Sequence, residues 1–305
     1  LPGKNFNKQG DKEKMNLAEK LKSGKFLITA EIGPGKGTDI DEYLEEMEIL
    51  RGKVDAINVT DLQSSVMRLG SLVVCHLLAE RNLEPVFQIT CRDRNRLALQ
   101  SDLLSAYVLG IRNVLVLTGD HTVLGDHPEA KPVFDLDSVS LLKVASTLAE
   151  GKDMKGNDLK GKPEFCLGAV VSPGADPLEP QLIKMEKKIE AGAKFFQTQA
   201  VYDKESFEKF IKKAEKFGVP IMVGIVLLKS AGMARFMNAN VAGVSVPDKF
   251  IKIMAEASKE DRPRRSIEIA ASLIKEMKGM CQGVHIMSLG WDKYVPSVLE
   301  AAELI

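Results

Sequence analysis

The chain has 305 residues, 45% hydrophobic and 28% charged, with 42 basic and 42 acidic side chains and zero formal net charge. That is enough for one large α/β barrel or two ordinary domains, and the balanced charge argues against a nucleic-acid partner. Four scattered cysteines without a C-x-x-C argue against a disulfide framework or a structural zinc site and for a reducing cytoplasm, and no apolar stretch approaches the roughly 20 residues of a membrane span.

The opening LPGKNFNKQGDKEK is polar and basic without an apolar centre, so residues 1–15 are expected to form a loose arm rather than a signal peptide. An extra N-terminal helix follows at NLAEKLKSG. The first strand is expected at 26–32 (FLITAEI), then a tight loop, GPGKGTD, in which Thr38 or Asp39 caps the next helix. That helix carries Ile40, Tyr43, Leu44, Met47 and Leu50 at helical spacing. Further strands are expected at 54–60, 84–90, 113–119, 165–171, 194–200, 220–226 and 283–289, with amphipathic stretches between them. Most of these runs are almost continuously apolar, as parallel strands covered on both faces are. Lysine-rich helical segments such as KMEKK and KKAEK alternate with acids and read as solvated faces. Two intervals are long: strand four to strand five, with the polar stretch GKDMKGNDLKGKPE, and strand seven to strand eight, which has room for two or three helices.

Eight strands about 28 residues apart, with helices between, predict a single (β/α)8 TIM barrel over 1–305, with the extra N-terminal helix and additional helices between strands 7 and 8. A doubly wound sheet is the rival. It would normally carry a phosphate loop after strand one, and GPGKGTD has neither the GK[ST] ending nor the G-x-G-x-x-G pattern.

In such a barrel all strand C-termini open on one face, where catalytic groups gather. Glu31 ends strand one. A carboxyl group at a barrel mouth is partly desolvated, which favours its proton-donating form; the alternative is an ion pair with Lys36. Asp120 ends strand four after Gly119 and either stabilises a cation or caps the following loop. His121, Asp126 and His127 do not form a recognised metal-ligand pattern, and no metal is expected. Gln197 and Gln199 share one strand face, and a primary amide suits a heterocycle with a paired donor–acceptor edge. Thr60, Gln88 and Thr90 add neutral hydrogen-bonding groups, so an uncharged ring system is the expected ligand.

TAEIGP, INVTD, the TC after strand three, LTGD, EAGAKFFQTQAVYDKESF and GVHIMSL occur in this order over roughly residues 20–303. In these motifs and their order the chain resembles the methylenetetrahydrofolate reductase family. The resemblance implies a flavin-dependent barrel in which reduced flavin passes a hydride from N5 to 5,10-methylenetetrahydrofolate, giving 5-methyltetrahydrofolate. It makes Glu31 the acid that opens the substrate's five-membered ring, Asp120 the carboxylate favouring the iminium cation, and Gln199 the amide that binds folate. Thr60, Gln88, Thr90, Thr118, Asp120 and Lys188 fall at the cofactor, Lys188 near its phosphate. Gln88 stands where the family usually has a histidine, Thr118 where it has an arginine, and Gln181 where it has an acid; FAD and FMN both remain open. Met233 replaces a polar residue after strand seven, and Trp291 replaces an arginine expected at the folate tail. The electron donor is accordingly either NAD(P)H or a redox partner subunit, within an oligomer or hetero-complex. Two other readings stay open: a catalytically silent barrel that scaffolds a redox complex, and a pterin-binding methyltransferase barrel.

Overall fold

The structure is a computed structural model and describes residues 15–305. The arm expected over 1–15 therefore lies, apart from Met15, outside the described residues. Eight parallel strands close into a barrel in sequence order: β1 (Leu27–Ile32), β2 (Ala56–Val59), β3 (Pro85–Thr90), β4 (Asn113–Leu117), β5 (Cys166–Val171), β6 (Phe195–Ala200), β7 (Ile221–Val226) and β8 (Gly283–Met287). β8 returns to pair with β1, Thr29 opposite His285. All eight expected strands form, and closure excludes the doubly wound sheet.

A helix precedes β1 and helices follow every strand: α1 (Leu17–Lys22), α2 (Asp41–Ile49), α3 (Ser71–Glu80), α4 (Arg96–Val108), α5 (Ser138–Ala149), α6 (Glu179–Glu190), α7 (Lys204–Ala214), α8 (Ala231–Asn240), α9 (Asp248–Glu256), α10 (Arg262–Met277) and α11 (Val295–Ala301). Three of them, α8 to α10, fill the long interval between β7 and β8. Outward strand residues such as Ile28, Ala30, Ile57 and Ile89 pack under this ring of helices. At the start of α2 the N-cap position is Ile40, which offers no side-chain bond, while Asp39 accepts the Asp41 amide at 3.3 Å.

Inward residues form layers. The lowest is apolar: Leu27, Ala56, Val86, Phe195 and Met222 from the strands, with Leu17 of α1 packed against them. α1 is set there by a capping box, Asn16 accepting from the Glu19 amide while Glu19 takes the Asn16 amide. Gly168 is required in β5, because a Cβ there would lie 2.3 Å from the Phe195 ring. The polar stretch after α5 joins that helix to β5 and packs along α4, where the Met154 amide donates to Gln100 at 3.0 Å. Among the described residues no helix is long and apolar enough to cross a membrane.

Candidate functional site

The strand C-termini surround a cavity of about 450 Å³. Glu31, Thr60, Gln88, Thr90, Thr118, Asp120, Lys188 and Gln199 all line it, as does Gln181. Trp291 does not: it follows β8 beside the mouth, with its ring 5.4 Å from that of Tyr294.

Glu31 is only 8% exposed. Gln88 Nε2 donates to its Oε2 at 2.8 Å and Gln63 Nε2 to its Oε1 at 3.2 Å, while His285 Nε2 stands 3.6 Å from Oε2. Two neutral amides therefore hold the carboxyl group. Lys36, its expected alternative partner, instead pairs with Asp126, 90 residues away.

Below Glu31 runs a buried polar layer. Asn58 and Gln197 exchange amide hydrogen bonds at 2.8 and 3.1 Å; Gln197 also donates to Thr29 Oγ1 at 3.1 Å, which lies 2.9 Å from His285 Nδ1. Gln197 thus serves the interior, and Gln199, one pleat higher, faces the cavity. Gln199 gives its side-chain oxygen to the Ala200 amide at 3.0 Å, leaving its NH₂ group for a ligand.

Asp120 is exposed at the cavity edge. Its carbonyl accepts from Arg92 at 3.2 Å, and the loop cap it was an alternative for is made by His121 Nδ1, which accepts the Val123 amide at 3.2 Å. Gly119, at φ 90°, would bring a Cβ within 3.1 Å of Arg92 Cβ and 3.2 Å of Thr90 Cβ. The glycine therefore lets the β4 loop cross closely over the β3 loop.

Arg92 and Asp61 organise this side; Asp61 closes the INVTD motif without a role assigned to it, and Arg92 is not marked by any motif. Arg92, 1% exposed, binds Asp93 through Nε and Nη2 and reaches the Leu62 and Asp120 carbonyls, tying three mouth loops together. Asp61, 3% exposed, takes a two-pronged bond from Arg94 at 2.7 and 3.1 Å and both the amide and hydroxyl of Thr90 at 2.9 Å. Thr90 is thereby a fixed wall and not a free donor. The same loop holds Leu62, Ser64 and Ser65 at φ 48°, 56° and 59°, a run of left-handed non-glycine residues of the kind that surrounding structure must enforce.

The residues fit a flavin on two counts. Thr60 Oγ1 is buried and has no hydrogen-bond partner among the described residues, although a buried hydroxyl costs about 1–3 kcal/mol when unmatched; a polar ring edge would satisfy it. Lys188, 5% exposed, donates to the Val170 carbonyl at 2.6 Å beside Lys184 and Ser138 at the cavity's far end. Burial, followed by the Lys184 charge, brings its ammonium down from the usual lysine range to about 8. An anion there would regain the charge-assisted bond that burial penalises.

A family model described as methylenetetrahydrofolate reductase matches residues 16–303. The chain is 25% identical to methylenetetrahydrofolate reductase 2 of Schizosaccharomyces pombe over 95% of its own length and 47% of that protein's. It is also 25% identical to 5,10-methylenetetrahydrofolate reductase of Pectobacterium carotovorum, covering 87% of this chain and 85% of that one. It spans less than half of the two fission-yeast relatives, 47% and 36%. A Clostridium thermocellum protein described as binding two copies of 5-methyl-5,6,7,8-tetrahydrofolic acid shares the fold, with a TM-score of 0.64 at 18% identity over 94% of this chain and 98% of that one.

Proposed function

The chain belongs to the methylenetetrahydrofolate reductase family, and from that premise we propose that it binds a flavin, FMN or FAD, and reduces 5,10-methylenetetrahydrofolate to 5-methyltetrahydrofolate. The observation that carries this reading is Glu31: a nearly buried acid at the β1 mouth, held by Gln88 and Gln63 and, among the described residues, by no lysine or arginine. The two amides orient the carboxyl group at the cavity, with the His285 ring 3.6 Å from Oε2, where it can exchange a proton with a bound ligand.

Glu31 delivers that proton to the nitrogen that leaves as the substrate's five-membered ring opens. The carbon–nitrogen bond breaks with its electron pair going to that nitrogen, and an iminium cation remains. Asp120, carrying a negative charge at the cavity edge, favours the cation. Gln199 presents its NH₂ group to the pterin, oriented by the bond from its oxygen to the Ala200 amide. Thr60 and Lys188 would hold the flavin, by ring edge and by phosphate. When bound, the flavin supplies the hydride. Electrons reach the site from NAD(P)H or a redox partner.

The test is anaerobic turnover of the flavin-loaded chain with 5,10-methylenetetrahydrofolate, using both nicotinamide nucleotides and an artificial one-electron donor. Formation of 5-methyltetrahydrofolate is expected. No product with either flavin and any of these donors would overturn the reading.

A further inference from the structure

The loop after β2 is attached to the loop after β4 at two points. At its start, Arg92 donates to the Leu62 carbonyl at 3.1 Å and to the Asp120 carbonyl at 3.2 Å, so one guanidinium joins both loops. Farther along, the Met67 amide donates to Asp126 Oδ1 at 3.0 Å, and Asp126 also pairs with Lys36 from the loop after β1. Gln63 lies between these attachments, and its Nε2 is the donor to Glu31 Oε1.

The span that carries Gln63 is wound tightly. The Ser65 amide returns to the Leu62 carbonyl at 2.9 Å and the Val66 amide to the Gln63 carbonyl at 3.2 Å. Ser64 and Ser65 keep φ values of 56° and 59°, which L residues hold only where the surroundings impose them. Gly125 of the β4 loop supplies that constraint. Its own backbone, φ −98° and ψ −164°, is extended and open to any residue, so conformational freedom is not what a glycine gives here. Space is. A Cβ at position 125 would lie 1.8 Å from the Ser65 carbonyl oxygen, a backbone atom that cannot swing aside as a side chain would. The β4 loop thus seats its bare backbone on the left-handed run. That loop also carries Asp120, so the two acids of the proposed reaction share one frame, with Gln63 carrying its position across to Glu31 on β1.

We propose that Gln63 is the positioning residue of Glu31, and that Gly125, by seating the β4 loop on the Ser65 carbonyl, sets where Gln63 stands. The assignment rests on the reductase reading above and adds to it the link that keeps Glu31 in register with Asp120. A displacement of about 1 Å in a reacting group can cost on the order of 10²-fold in rate, so a link of this kind shows in turnover before it shows in stability.

The experiment follows reoxidation of the reduced, flavin-loaded protein by 5,10-methylenetetrahydrofolate, which needs no electron donor. Limiting rate and half-saturating substrate concentration are measured for the unmodified protein, Gln63→Leu, Gly125→Ala and the double variant, beside melting temperatures and hydrogen exchange of the Ser65 and Val66 amides. Each single change should lower the limiting rate about 10- to 100-fold with little change in half-saturation. The double variant should be no slower than the slower single one, because both break the same link. Exchange should quicken in Gly125→Ala and not in Gln63→Leu. Asp126→Ala, which releases Met67 and Lys36 without adding bulk, should act in the same direction and takes the place of Gly125→Ala if that variant does not fold. Rate losses that multiply in the double variant, a near-normal rate in Gln63→Leu, or unchanged exchange in the β4-loop variant would each overturn the assignment while the reductase reading stands. If the substrate does not reoxidise the unmodified protein, the reductase reading is overturned, and this assignment with it.

Discussion

The same eight strands build two ends of opposite character. At the closed end the inward residues are Leu27, Val86, Phe195 and Met222, sealed by Leu17. At the open end, on the same strand faces four residues on, stand Glu31 and Thr90 on β1 and β3, and Gln199 follows Phe195 at the same interval on β6. Between the ends lies a layer in which Thr29, Asn58 and Gln197 satisfy one another. The contrast lies in what is left unmatched. Polar groups in the middle are closed into pairs and serve the fold, whereas at the mouth Thr60 Oγ1 has no partner among the described residues and the Gln199 oxygen is taken by the Ala200 amide. If stability is concentrated below and the proposed binding above, changes at the two ends should have separable effects.

The largest effect is expected at the mouth. Glu31→Gln keeps the shape and removes the proton; turnover should fall at least 10²-fold, within the roughly 10²–10⁴-fold range of general acid catalysis, with flavin still bound. Steady-state rates beside the flavin-to-protein ratio check this, and near-normal turnover would remove Glu31 from its role. Next comes the seal. Leu17→Ala leaves a hole under the barrel and should cost about 2–4 kcal/mol in denaturant unfolding, with flavin and folate dissociation constants unchanged. A parallel loss of ligand affinity would show that the two ends are not independent. Gln199→Ala should weaken 5-methyltetrahydrofolate binding by about 1–3 kcal/mol and leave unfolding nearly unaltered; an unchanged folate dissociation constant would place the pterin elsewhere.

The smallest effect is a pH dependence. Lys188 titrates at about 8, below an ordinary lysine, so it is charged at pH 7 and mostly neutral at pH 9. Its attraction for a flavin phosphate is present below that value and lost as pH rises through it, and binding above it takes up a proton. Flavin affinity should fall several-fold between pH 7 and 9, and Lys188→Met should flatten the profile. An equally steep profile in the variant would assign the titration to another group.

The barrel is legible in the sequence because near-continuous apolar runs at regular spacing have few other ways to be buried. The mouth is partly legible because Glu31, Thr60 and Gln199 are polar residues ending strands that need none. What escapes depends on contacts between neighbouring strands. Asp61 and Arg94 meet only because β2 lies beside β3, and Arg92 reaches Leu62 and Asp120 across two loops. His285 is a lone histidine in an apolar run, and its place by Glu31 follows from β8 closing on β1. Lys36 shows the converse: proximity in sequence suggests Glu31, and the fold gives it Asp126. Period-two spacing puts Gln197 and Gln199 on one face but not at one depth, and depth separates the structural amide from the one available to a ligand.

The central claim, that this mouth joins a flavin to a reduced folate, is tested most directly by an anaerobic visible spectrum of the flavin-loaded protein before and after adding 5-methyltetrahydrofolate. The account predicts that the oxidised-flavin absorbance bleaches, and that it does so far more slowly in Glu31→Gln. A flavin that stays oxidised in the presence of bound 5-methyltetrahydrofolate would contradict it.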